Sequence, residues 1–267
     1  MIRRVSSHLD IEVRGQSRLV LQIAVCDHAP ATTTEQLSVR LGGSPVSPRS
    51  VCVPHGGRVH VLDARPGHLE VDYSATITGR ATEPPVTVAD EVNYLRASRY
   101  AESDRLVALA RAEFAGLGRG VDLLAAVSSW VGTRLTYLSG SSRGTDGAVD
   151  TLLAGQGVCR DFAHLVVALL RALDMPARVA AVYAPGLQPM DFHAVAEALL
   201  DGRWQVVDAT LLAPRSSLVR IATGRDAADT AFLSNYYGDL VLREQWVSAT
   251  VDGALPADDI SELVSLC

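Results

Sequence analysis

A thiol, an imidazole and a carboxylate, Cys159, His193 and Asp208, are the side chains of this sequence best placed to do chemistry together. Cys159 stands in the run A-G-Q-G-V-C-R-D-F-A-H-L at 154–165, behind two glycines and ahead of an apolar helical pattern. That spacing puts the sulfur in the first turn of a helix. The free N–H groups and positive dipole end found there favour an anion at sulfur, and they can stabilise an oxyanion growing on a nearby carbonyl. Gly155 and Gly157 would let a substrate backbone approach. Gln156 is a further candidate oxyanion donor. Taken alone, the segment fits a buried free cysteine at a helix start equally well.

A thiol nucleophile needs a base, and the base needs an orienting partner. His164 lies on the same helix but about 140° round from Cys159, so it reads as a packing or structural hydrogen-bonding residue. His193 is better placed. Asp201-Gly202 has the form of a two-residue hairpin turn between strand-like runs. Pairing Leu200 with Arg203 sets Val195 opposite Asp208 and His193 opposite Thr210. His193 and Asp208 then share a face as diagonal neighbours, about 7–8 Å apart at the backbone. A single-residue bulge would break that parity. In this arrangement Cys159 attacks an amide or ester carbonyl, His193 carries the proton, and Asp208 orients the ring.

The elements that must position these residues divide the chain in two. Residues 1–80 are strand-like, with runs at 17–25, 58–63 and 68–77 separated by turns at 55–57 and 65–67. In the last run Leu69, Val71, Tyr73, Ala75 and Ile77 alternate with polar residues, the pattern of a half-buried strand. A linker is expected over 82–90, containing Pro84 and Pro85. Helical spacing follows at 103–114, 122–137 and 158–174, the last stopped by Pro176. Trp130 reads as a core residue. Strands return at 178–183, 192–200 and 203–211.

Composition narrows the function classes. The 267 residues are 48% hydrophobic and 20% charged, the balance of an ordinary globular protein. The net charge is -6 and no basic stripe stands out, which argues against nucleic-acid and anionic-membrane partners. No apolar run approaches the roughly 18 residues that span a bilayer. The N-terminus lacks the apolar core of a secretory signal, so a cytoplasmic location is expected. All 24 basic residues are arginine, so the chain offers no lysine side chain as an acyl acceptor. Its cysteines, at 26, 52, 159 and 267, show no C-x-x-C spacing for zinc or dithiol redox chemistry. Cys26 and Cys52 read as small core residues, and a disulfide between them is disfavoured in a reducing compartment.

The motifs G-x-G-V-C-R-D-F-A-H-L at 155–165, D-F-H-A-V at 191–195, W-Q-V-V-D-A-T at 204–210 and G-R-D-A-A-D at 224–229 resemble those of bacterial transglutaminase-like proteins. The likeness extends upstream through Y-L-R-A-S-R-Y-A-E-S-D at 94–104. Where members often carry a proline before S-R-Y, this chain has Ala97. The resemblance implies an α+β fold, with a papain-like nucleophile helix packed on an antiparallel sheet and a small all-β domain in front. The division it implies is a β-sandwich-like domain at 1–82 and a catalytic domain at 83–267. The family's Cys-His-Asp triad maps onto Cys159, His193 and Asp208. No metal or cofactor is implied. The expected activity is that of a cysteine-dependent peptidase or amidase acting on a peptide or protein amide. The alternatives are an acyltransferase that passes the acyl group to an amine, and a non-catalytic binding module that keeps the fold.

Overall fold

The computed structural model describes residues 1–27, 32–80, 82 and 85–266. Glu83 and Pro84 of the expected linker, and Cys267, lie outside them. The N-terminal portion is all β: β1 (Ile2–Val13), β2 (Ser17–Leu21), β3 (Thr32–Leu41), β4 (Ser44–Pro45), β5 (Arg49–Cys52), β6 (Arg58–Ala64) and β7 (Gly67–Thr78). Alternation builds it. Leu69, Val71, Tyr73, Ala75 and Ile77 of β7 are all buried, as their period of two requires, and β1 follows the same rhythm through Val5, Leu9, Ile11 and Val13.

Helices follow: α1 (Val88–Leu95), α2 (Ser103–Glu113) and α3 (Val121–Arg134). The third stops at Arg134 rather than at Tyr137, because Thr136 and Tyr137 form β8. Trp130 packs partly buried against the core and donates its ring N–H to Glu113 at 2.7 Å. Next come α4 (Ala148–Ala154), β9 (Gln156–Gly157) and α5 (Cys159–Ala172). The remaining elements are β10 (Ala177–Tyr183), β11 (Phe192–Leu200), β12 (Arg203–Val207), β13 (Val219–Gly224), α6 (Ala227–Thr230), β14 (Leu233–Tyr236) and β15 (Leu240–Val251). None of the described helices is long and apolar enough to cross a membrane.

Three antiparallel sheets result. The order β12-β11-β10-β13 carries α5 on one side, where Leu165, Val166, Leu169 and Leu170 join Ala196 and Ala198 in a common core. Every residue of α5 from Asp161 to Ala172 is buried. Each of its large aliphatic side chains contributes about 1.5–3 kcal/mol by leaving water, which makes α5 the central post of the fold. The other two sheets, β15-β1-β7-β3-β4 and β14-β2-β6-β5, enclose a second core that also takes in Tyr183, Val219 and Ile221. The sandwich is therefore assembled from both ends of the chain, since β14 pairs with β2 and β15 with β1. A division at 82/83 does not anticipate that return.

Across β10, β11 and β13 runs a fully buried ionic bridge. Arg178 Nε donates to Glu197 at 2.7 Å, and Arg220 Nη2 donates to its other oxygen at 2.6 Å. The Arg178 guanidinium also lies 4.0 Å from the centre of the Trp204 ring.

Cys52 departs from its expected place in the core. It sits exposed on β5, the edge strand of its sheet, all four residues of which are exposed. Cys26 is buried as expected, and its Sγ donates to the Ile221 carbonyl at 3.0 Å. Both thiols are free.

Candidate active site

The approach to Cys159 is built from short-range constraints. Gly155 ends α4 with φ +66°, a left-handed conformation that favours glycine. The chain then forms β9, which pairs in parallel with β8, Gln156 opposite Thr136 and Gly157 opposite Tyr137. A Cβ at Gly157 would lie 2.8 Å from the Asp161 Cβ. That closeness lets the buried Asp161 carboxylate accept the Val158 N–H at 2.9 Å and start α5 at Cys159. The glycines thus shape the turn and its packing, where substrate access was expected of them. Cys159 itself is half-buried.

His193 and Asp208 meet through the predicted hairpin register. Leu200 faces Arg203 and Ala196 faces Val207, with Asp201 and Gly202 at φ 50° and 75° in the turn. His193 Nε2 lies 3.4 Å from Asp208 Oδ2, and both side chains are buried. The second Asp208 oxygen accepts from the backbone N–H and hydroxyl of Thr210 at 2.8 and 2.7 Å. Ser128 of α3 donates to the Asp208 carbonyl at 2.9 Å, anchoring the segment.

The electrostatics follow. Burial opposes charging the imidazole, but the Asp208 hydrogen bond and the neighbouring Cys159 outweigh it, pushing His193 up to about 10. Burial likewise opposes ionising Asp208, and His193 and Thr210 overcome it, so its pKa is lowered. His193 Nδ1 is buried and makes no hydrogen bond of ordinary geometry among the described residues. Cys159 is nonetheless near enough to act on the ring.

Cys159 and His193 line one cleft of about 630 Å³. Its lining combines Tyr100, Ala181 of β10, Ile221 of β13 and Ala227 of α6 with Gln22, Phe232, Tyr236 and Gln245 from the sandwich strands and their flanks. Gln156 lies on β9 and is not among the lining residues. His164 is fully buried, stacked on Tyr100 at 5.5 Å, and its Nε2 accepts the Ala227 N–H at 3.0 Å. It fastens α6, part of the cleft wall, as a structural hydrogen-bonding residue would.

Tyr137 is the neighbour that periodicity concealed. It falls at the end of the apolar helical spacing, yet on β8 its phenol stands beside Cys159. Burial, together with the charge of Cys159, raises its pKa to about 12, against a hydrogen bond from the Cys159 backbone. The strand-favouring pair Thr136-Tyr137 shortly before Gly140 is the signal that could have found it. Among the described residues, no group of three or more histidine, cysteine or acidic side chains converges to hold a metal ion.

Comparison with known proteins places this geometry in context. Residues 107–209 match the transglutaminase-like superfamily. The solved structure of a candidate cysteine protease from Cytophaga hutchinsonii superposes with a TM-score of 0.87 at 31% identity, covering 98% of this chain and 96% of that one. The uncharacterized protein ML0607 of Mycobacterium leprae is 25% identical over 207 residues, 68% of this chain and 73% of that protein. The uncharacterized protein Rv2569c of Mycobacterium tuberculosis is 41% identical over 71 residues, 27% of this chain and 21% of that protein.

Proposed function

Since this chain belongs to the transglutaminase-like superfamily, we propose that it is a cysteine-dependent hydrolase of peptide or protein amides, working through a thioester on Cys159. The observation that carries this reading is the 3.4 Å contact of His193 with Asp208 beside a thiol in the same cleft. Asp208 favours the protonated imidazole, so His193 takes the Cys159 thiol proton as the sulfur attacks. The sulfur of Cys159 attacks the amide carbon, and the oxyanion faces the N–H groups at the start of α5. His193 gives its proton to the departing amine as the C–N bond breaks, which leaves a thioester. Water, losing a proton to His193, attacks the thioester carbon. The C–S bond then breaks, the acid leaves, and Cys159 recovers its proton. Asp208 holds the ring in orientation throughout.

The test is a panel of glutamine- and amide-containing peptides, with and without hydroxylamine. Release of acid with amine or ammonia, lost in Cys159→Ala with the fold intact, supports hydrolysis. Hydroxamate as the main product would replace hydrolysis by transfer to an amine. Turnover that survives in Cys159→Ala would remove the nucleophile from the mechanism.

A further inference from the structure

Two charged side chains, Arg160 and Asp191, line the cleft beside Cys159 and His193. Arg160 is committed elsewhere. Its guanidinium bonds Asp161 at 3.0 Å, the Arg143 carbonyl at 2.9 Å and the Ser142 hydroxyl. Asp191 is exposed and only partly engaged. Its Oδ1 accepts the Phe192 N–H at 2.7 Å and the Gln245 side-chain amide, which fix the carboxylate's direction. Its Oδ2 takes no hydrogen bond from the described residues. The group is close enough to His193 for the two charges to interact.

The surface next to it is aromatic. Phe192 and Phe232 stack at 4.8 Å between ring centres, and Tyr236 lines the same cleft. An aliphatic stem fits such rings, and a cation at its tip gains both from the ring faces and from the free carboxylate oxygen.

We propose that Asp191 is a specificity-determining residue, which receives the cationic head of a lysine or arginine side chain of the peptide substrate while the stem lies along Phe192, Phe232 and Tyr236. This assignment rests on Cys159 being the acylated group. The chain's net charge of -6 favours approach of such a partner. A carboxylate already oriented by Gln245 and the Phe192 N–H loses little freedom on pairing.

Alkylation of Cys159 tests the proposal without knowledge of the natural substrate. The rates of iodoacetamide and of an iodoacetamide bearing a trimethylammonium group on a short alkyl arm are measured at Cys159 by peptide mass spectrometry. Their ratio is compared with that for a free cysteine peptide. The intact chain should prefer the cationic reagent by about fivefold over the free peptide, the upper range for a solvent-accessible ion pair. Asp191→Asn should return the ratio to the free-peptide value, and added salt should do the same in the unaltered chain. A ratio equal to the free peptide's in the unaltered chain, or a preference retained in Asp191→Asn, overturns the assignment. The two readings fail separately. A neutral-reagent rate no faster than a free thiol's counts against Cys159 as nucleophile, whereas the ratio, taken within each variant, reports on Asp191.

Discussion

His193 and Asp208 are 15 residues apart in the chain, and their Nε2 and Oδ2 atoms are 3.4 Å apart. One hairpin turn closes that distance, and the second Asp208 oxygen is held by Thr210, so the carboxylate has little freedom to turn away. The pair is a local product of strand register, while its partner thiol arrives on a helix from another part of the chain.

Asp208→Asn keeps the shape of that contact and removes its charge. His193, held at about 10 against the cost of burial, should titrate at a lower pH once the raising contribution of Asp208 is gone. Proton NMR of the ring would read this directly. Amide turnover should fall by about 10³-fold or more, as when the orienting carboxylate of a comparable triad is neutralised. Turnover within tenfold of the unaltered chain would mean that Asp208 does not orient the base.

Gly157→Ala places a methyl group 2.8 Å from the Asp161 Cβ, with the Asp161 carboxyl also close. Asp161 is fully buried on α5 and cannot swing aside, so the start of the helix must shift. We expect a stability loss of about 1–3 kcal/mol, typical of overpacking, by urea denaturation. Alkylation at Cys159 should slow as well. Unchanged stability and alkylation would show that the turn has slack.

Glu197→Ala leaves two buried guanidinium groups, Arg178 and Arg220, without their shared carboxylate. Removing one partner of a buried ionic bridge costs about 3–5 kcal/mol. The midpoint of chemical unfolding should drop accordingly. A change below about 1 kcal/mol would mean that Trp204 and solvent suffice to accommodate Arg178.

Acid should weaken the fold through His164. Burial, with the charges of Arg160 and Arg171, pulls its pKa down to about 4 against the influence of Asp226 and Asp161. Because the folded value lies below the unfolded one of about 6.5, the neutral ring's contribution is complete above pH ~6.5 and is lost as pH falls towards 4. The shift corresponds to about 3 kcal/mol. Burial lowers His55 and His60 too, so comparison with His164→Gln isolates this residue. The variant's unfolding free energy should vary less between pH 7 and pH 4.5. An identical slope in the two proteins would assign the acid sensitivity elsewhere.

Local order was legible wherever a short-range rule governs it. The period of two in β7 picks out the residues that are buried, and Pro176 and the apolar spacing mark α5 to within a few residues. The Asp201-Gly202 turn sets the β11–β12 register, because residues that tolerate positive φ leave the flanking strands little choice of pairing. Patterns misled where a residue's surroundings come from distant elements. Cys52 has the apolar neighbours of a core strand but lies at a sheet edge. Tyr137 continues a helical spacing but pairs across to Gly157.

By itself, then, the sequence determined the chemical types at the site, the helix start that carries the sulfur and the strand face that joins His193 to Asp208. Periodicity and turn preference act over a few residues, and these features need nothing more. Only the tertiary structure decided that β14 and β15 return to the first strands and bring Tyr236 and Gln245 to the cleft, and that Asp191 lines it with one oxygen that takes no hydrogen bond from the described residues. Burial and charge at a site depend on every element packed around it, and in this fold those elements come from both ends of the chain.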